Sequence, residues 1–149
     1  MQQYLRRRAI ASLVTLGALA FSPLGRGFLS GPLDVTAFDA QDIRRSMPRF
    51  SPENYAKNQA LLPAYNAIAA EVGCTPSQLA IAWLLHQGQD ILPIPGTARE
   101  DHLRENIGAA DVKLDVATMA KLEALINQQT VKGNRYNDQA NREVDTEAY

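Results

Sequence analysis

Only two stretches of this chain read as β-strands, residues 12–21 and residues 91–94, and the residues between and after them are dominated by helical patterns. Strands alternating with helices pair in parallel through right-handed crossovers, which points to an α/β architecture. Two parallel strands cannot close a barrel or fill a wide sheet. Yet 149 residues, 46% hydrophobic and 21% charged, suffice for one domain with a real core. Ordinary composition and an incomplete strand inventory therefore stand in conflict.

The chain in order sharpens this picture. Residues 12–21 are apolar on both parities, as in a strand buried on both faces, with a buried helix as the competing reading. Arg6, Arg7 and Arg8 precede an apolar run that ends near Ala18-Leu19-Ala20, so a secretory signal is the alternative to a strand entry. Ser22-Pro23-Leu24-Gly25-Arg26-Gly27 then stops the element as a turn. Residues 30–54, rich in proline and without a sustained period, read as a long loop. Asp42, Arg44, Arg45 and Arg49 lie in it, either solvated or folded toward an anion.

Four helices follow by pattern. Residues 60–72 carry Leu61, Leu62, Tyr65, Ile68 and Val72 at helical spacing, with Gly73 as a stop. Thr75, Pro76 and Gln78 form a capping-box signature before the apolar run around Trp83, which reads as core. Helical pattern resumes over residues 99–107 and, capped by Asp115, through Val116, Met119, Leu122 and Ile126. Residues 130–149 are polar and aperiodic, as in a mobile tail.

Residues 91–106 form the most suggestive junction: a short strand complicated by Pro93, a Pro95-Gly96 turn, then a polar helix start carrying Thr97 and Arg99. A helix N-terminus offers unpaired N–H groups and partial positive charge, which suits a phosphorylated ligand. The same residues also serve simply to turn the chain and cap a helix. A net charge of -1 gives no electrostatic case for nucleic acid or an anionic membrane as partner. One cysteine, Cys74, and two histidines far apart in sequence show no metal-ligand spacing and point to a reducing, cytoplasmic setting.

Three blocks in this order resemble the aldo-keto reductase family: residues 20–31 (Ala-Phe-Ser-Pro-Leu-Gly-Arg-Gly-Phe-Leu-Ser-Gly), Met47-Pro48-Arg49-Phe50 with Asn54 and Asn58, and residues 91–106. Gly133-Asn134-Arg135-Tyr136 also resembles a word near the end of one branch. The resemblance implies the C-terminal portion of a TIM (β/α)8 barrel from about strand seven onward: two parallel strands plus about four helices over residues 20–129. An atypical segment, residues 1–19, would precede it and a tail, residues 130–149, would follow. In such barrels a phosphate site is commonly built by the loops after the last two strands.

Carried over by resemblance, Phe21 would stack on a nicotinamide ring, and Ser22, Leu24 and Arg26 would lie along the pyrophosphate. Gly96, Thr97, Ala98 and Arg99 would surround the adenosine 2′-phosphate, while Glu105 and Asn106 would reach the adenine end. NADP(H) is thus the implied cofactor. Ala98 stands where relatives often have Lys, and His102 where more distant members have an Arg on the phosphate. The family's catalytic Asp, Tyr, Lys and His match no residue here, and neither Tyr4, Tyr55 nor Tyr65 can be placed with Lys57 and His86 in such a set. The resemblance therefore implies a cofactor-holding part of a carbonyl-reducing oxidoreductase, inactive alone, with a carbonyl substrate only in a complete barrel. The alternative is a non-catalytic cofactor-binding or interaction module that pairs with a separate N-terminal half or with itself.

Overall fold

The computed structural model of the chain describes residues 18–143. The expectations placed on Tyr4, on Arg6 to Arg8 and on most of the first apolar run lie outside those residues. Two strands, β1 (Ala18–Phe21) and β2 (Ile91–Ile94), pair in parallel, with Ala18 opposite Ile91 and Phe21 opposite Ile94. Pro93 is tolerated because this sheet has only edges, where a missing donor disrupts no second ladder. The expected burial of the first strand on both faces is corrected by the structure. Leu19 and Leu92 are 64% and 53% exposed, and Phe21 and Ile94 are also open, because two strands cannot cover their own apolar face.

The core lies among helices. The four expected helices are α2 (Leu62–Val72), α3 (Pro76–Leu85), α4 (Glu100–Gly108) and α5 (Val116–Leu125). Gly73 adopts a left-handed conformation that closes α2, and its N–H reaches back to Ala69 O and Ala70 O. Thr75 and Gln78 form the capping box of α3 in full, and Asp115 accepts from the Thr118 N–H to start α5. Tyr65, Ile68, Ala69, Leu79, Ala82, Leu114 and Leu122 make the main core, with Trp83 packed against it.

Residues 30–54 are not a featureless loop. Two 3-10 turns, Ile43–Ser46 and Pro48–Phe50, lead into a further helix, α1 (Pro52–Gln59), whose start is capped by Ser51. Pro52 signals a break in a loop but is equally at home in the first turn of a helix, where its missing donor costs nothing. A second core forms here: Met47, Phe50 and Tyr55 pack with Phe28 and Phe38, and the Tyr55 hydroxyl accepts from the Leu33 N–H at 2.6 Å.

The expected free tail is also corrected over its first part. Buried Asn58 accepts from the Lys132 N–H at 2.7 Å and donates to Lys132 O at 3.0 Å, while Arg49 Nε donates to Gly133 O at 3.1 Å. Gly133 has φ +84°, and a Cβ there would meet Pro48 O at 2.8 Å, so only glycine fits. Residues 131–136 thus form a strap held against α1, and α6 (Asp138–Glu143) follows. These hydrogen bonds span distant parts of the sequence, so periodicity could not reveal them. Asn58→Ala removes one side chain that satisfies both Lys132 backbone groups, and is expected to cost about 2–3 kcal/mol in urea denaturation. A loss below about 0.5 kcal/mol would show that the strap is not held by Asn58.

Candidate functional site

Parallel pairing sends the chain out of β1 and β2 at the same edge of the sheet, so the loops beginning at Ser22 and Pro95 emerge side by side. The loop after β1 is tightly wound. Ser22 and Arg26 adopt φ 51° and 57°, and Gly25 and Gly27 flank Arg26 with φ 58° and 91°. Left-handed backbone at two non-glycine residues costs on the order of 1 kcal/mol each, and such strain collects at functional sites. The turn is braced by Leu24 O, which accepts from the N–H groups of Gly27 and Leu29. The Leu24 side chain is partly buried against the helical core.

The loop after β2 is open. Gly96 has no positive φ, and a Cβ there would meet nothing within 4 Å, so neither conformation nor packing within the chain demands glycine. Thr97 Oγ1 accepts from the Arg99 N–H at 3.1 Å and shapes the entry to α4. Ala98 and His102 are exposed. The Arg99 guanidinium forks onto Asp101, with Nε donating to Oδ1 at 3.0 Å, and this contact holds the Asp101 carboxyl down at about 2. In turn Asp101 raises the Arg99 value.

Glu105 and Asn106 are placed from behind. Gln78 of the α3 capping box donates from Nε2 to Glu105 O at 3.1 Å, tying the start of α3 to the middle of α4. Asn106 is 8% exposed.

A cavity of about 570 Å³ opens under the β1 loop. Phe21, Ser22 and Arg26 line it, whereas Gly96, Thr97, Ala98, Arg99, Glu105 and Asn106 do not. The strand register brings the two turns to one edge, but the predicted positions do not share one pocket. Arg135, which the sequence reading did not place at the site, sits with its guanidinium carbon 4.4 Å from the centroid of the Phe21 ring. The only sequence signal was the Gly133-Asn134-Arg135-Tyr136 word. Of the loop arginines, Arg44 is clamped by Asp42 and lies over Phe38, while Arg49 reaches the cavity.

Tyr65 and His86 are both engaged with the backbone. Tyr65 donates to Pro76 O at 2.8 Å, and burial, with Cys74 nearby, drives its value far up. The Leu114 N–H can only donate, so His86 Nε2 must accept from it, leaving Nδ1–H to donate to Ala82 O. His86 is a structural clasp between α3 and the segment before α5.

Residues 10–127 match the family model described as the aldo/keto reductase family. The chain belongs to the aldo/keto reductase family. It is 45% identical over 119 residues to the aldo-keto reductase yakc of Schizosaccharomyces pombe, whose name carries NADP(+); the match covers 79% of this chain and 35% of that protein. It is also similar in structure to the glycerol dehydrogenase AKR11B4 of Gluconobacter oxydans, with a TM-score of 0.54 and 22% identity over 91% of this chain and 35% of that one. The chain thus spans about a third of the length of these aldo/keto reductases. Its two parallel strands and their helices have the fold of one portion of that family's (β/α)8 barrel.

The Arg99–Asp101 pair gives a direct test of the α4 entry. An NMR titration of the carboxyls should find Asp101 at about 2, and Arg99→Gln should return it toward 3.8. Because the carboxyl is depressed, the pair is fully formed above its ordinary range and opens only as pH falls toward that value. An Asp101 that titrates normally in the unsubstituted protein would contradict the fork.

Proposed function

We propose that this chain supplies the cofactor-holding wall of an NADP-dependent aldo/keto reductase, which transfers hydride between a nicotinamide and a carbonyl carbon. The observation that carries this reading is the Phe21–Ile94 register, which sets the strained Ser22–Arg26 turn beside the open Gly96–Arg99 turn. Phe21 stacks on the nicotinamide, and Ser22, the Leu24 backbone and Arg26 follow the pyrophosphate. Gly96 leaves room for the 2′-phosphate, with Thr97, Ala98 and Arg99 around it. Glu105 and Asn106 border the adenine.

What supports a dinucleotide here is the strained turn after β1, the open face at Gly96 and the exposed Arg99 beside it. The bound cofactor supplies the hydride, and the chain's own part is to bind and orient it. Arg99 must share or leave Asp101 to reach a phosphate, and Ala98 adds no charge of its own. Preference for NADPH over NADH therefore rests on Arg99.

Tyr65 and His86 are committed to backbone contacts, so neither is placed to hand a proton to the carbonyl oxygen. NADPH should bind to this polypeptide more tightly than NADH in a fluorescence titration. Arg99→Ala should erase most of that preference, and Asp101→Asn should strengthen it by roughly twofold to fivefold by releasing the arginine. The same polypeptide should not oxidise NADPH with a simple aldehyde. Equal affinity for the two dinucleotides, or turnover abolished by changing Phe21 or Arg99, would contradict the reading.

A second reading is favoured by the exposed apolar face of Leu19, Phe21, Leu92 and Ile94. Such a face invites association. On this reading the chain is a non-catalytic module that pairs with a polypeptide carrying the other barrel strands. Co-expression should then copurify the two and restore turnover, and failure to copurify would count against it.

A further inference from the structure

The cavity beneath the β1 turn has an unusual charge pattern. Its walls are largely apolar, including Leu19, Phe28 and Leu122, and its charged lining residues are Arg26, Arg49 and Arg135, with no Asp or Glu among them. Its volume of about 570 Å³ falls in the range of small-molecule sites. Arg26 belongs to the turn read above as the pyrophosphate side. Arg135 lies elsewhere, over one face of the Phe21 ring, so a nicotinamide stacked on Phe21 takes the opposite face.

Arg135 faces rings rather than carboxylates. Its guanidinium carbon lies 4.4 Å from the Phe21 centroid and 5.4 Å from that of Tyr136, and among the described residues no acidic side chain pairs with it. Stacking on a ring uses the face of a guanidinium and leaves its in-plane donors for a second partner. Those donors form a fork that fits a carboxylate, and apolar walls strengthen the pairing. The residue is also pre-positioned: Asn58 holds Lys132, Arg49 holds Gly133, and Gly133 is locked against Pro48.

We propose that Arg135 is a specificity-determining residue that directs the site toward carbonyl compounds carrying a carboxylate on an apolar or aromatic body. The proposal deepens, and rests on, the reductase reading of this site. Arg135 receives the carboxylate end of the substrate, while the carbonyl end lies against the nicotinamide position beside Phe21. Arg49 fixes the strap and adds positive charge to the same wall.

Trp83 is the only tryptophan and lines this cavity, so its fluorescence reports occupancy directly. The full chain, with NADP(H) present, is titrated with 4-formylbenzoate and with the neutral 4-formylbenzamide. The charged probe should bind about tenfold more tightly, as expected for one charge-assisted hydrogen-bonded pair. The charged-to-neutral ratio should fall to about one in Arg135→Ala and recover partly in Arg135→Lys. Reading the ratio cancels any general loosening of the strap, and Arg135→Gln replaces the alanine variant if that variant does not fold. Equal affinities, no binding of either probe, or a ratio unchanged without Arg135 would overturn the proposal. Energy transfer from Trp83 to NADPH is recorded in the same samples. Loss of NADPH binding would overturn the cofactor reading itself, whereas NADPH binding without discrimination between the probes would overturn the role of Arg135 alone.

Discussion

The parallel pairing of β1 with β2 is the interaction on which the rest depends. Each strand is four residues long, and neither could be stable in isolation. Their register nevertheless sets the two candidate turns side by side, because parallel strands release both following loops at one edge. A hairpin would send them to opposite ends. The long crossover that parallel pairing requires is filled by α1, α2 and α3, and their packing supplies the stability that the sheet lacks.

The two surfaces at that edge are built by different physics. The β1 turn is rigid: left-handed residues are over-determined by hydrogen bonds to Leu24 and by the seat of its side chain in the core. The β2 turn is exposed, and its cation is held by a solvent-facing pair that a phosphate could displace at little cost. Rigid placement at the reacting end and adaptable charge at the far end suit a long, flexible dinucleotide. The strap adds a third surface, brought in by Asn58 from a distant part of the chain.

Local chemistry was legible in the sequence wherever a rule acts over a few residues. Thr75-Pro76-x-Gln78, Gly73 and Asp115 marked helix ends that the structure keeps, since caps are satisfied by neighbours in the chain. The pairing of residues 18–21 with 91–94 followed from element order alone. Three features escaped. Pro52 looked like a loop signal because a proline at the first helical position and one in a turn are locally alike. The strap looked like a tail because its partners lie seventy or more residues away. Openness of the sheet face could not be read from apolar residues, whose pattern reports what a strand is suited to bury and not what covers it.

The central claim is that both turns at this edge grip one dinucleotide. Backbone amide NMR of the full chain during titration with NADP+ tests it most directly. The account predicts that resonances of residues 21–26 and 96–106 shift together with one apparent affinity, while those of α5 stay still. Shifts confined to one turn, separate affinities for the two, or no saturable change at all would contradict it.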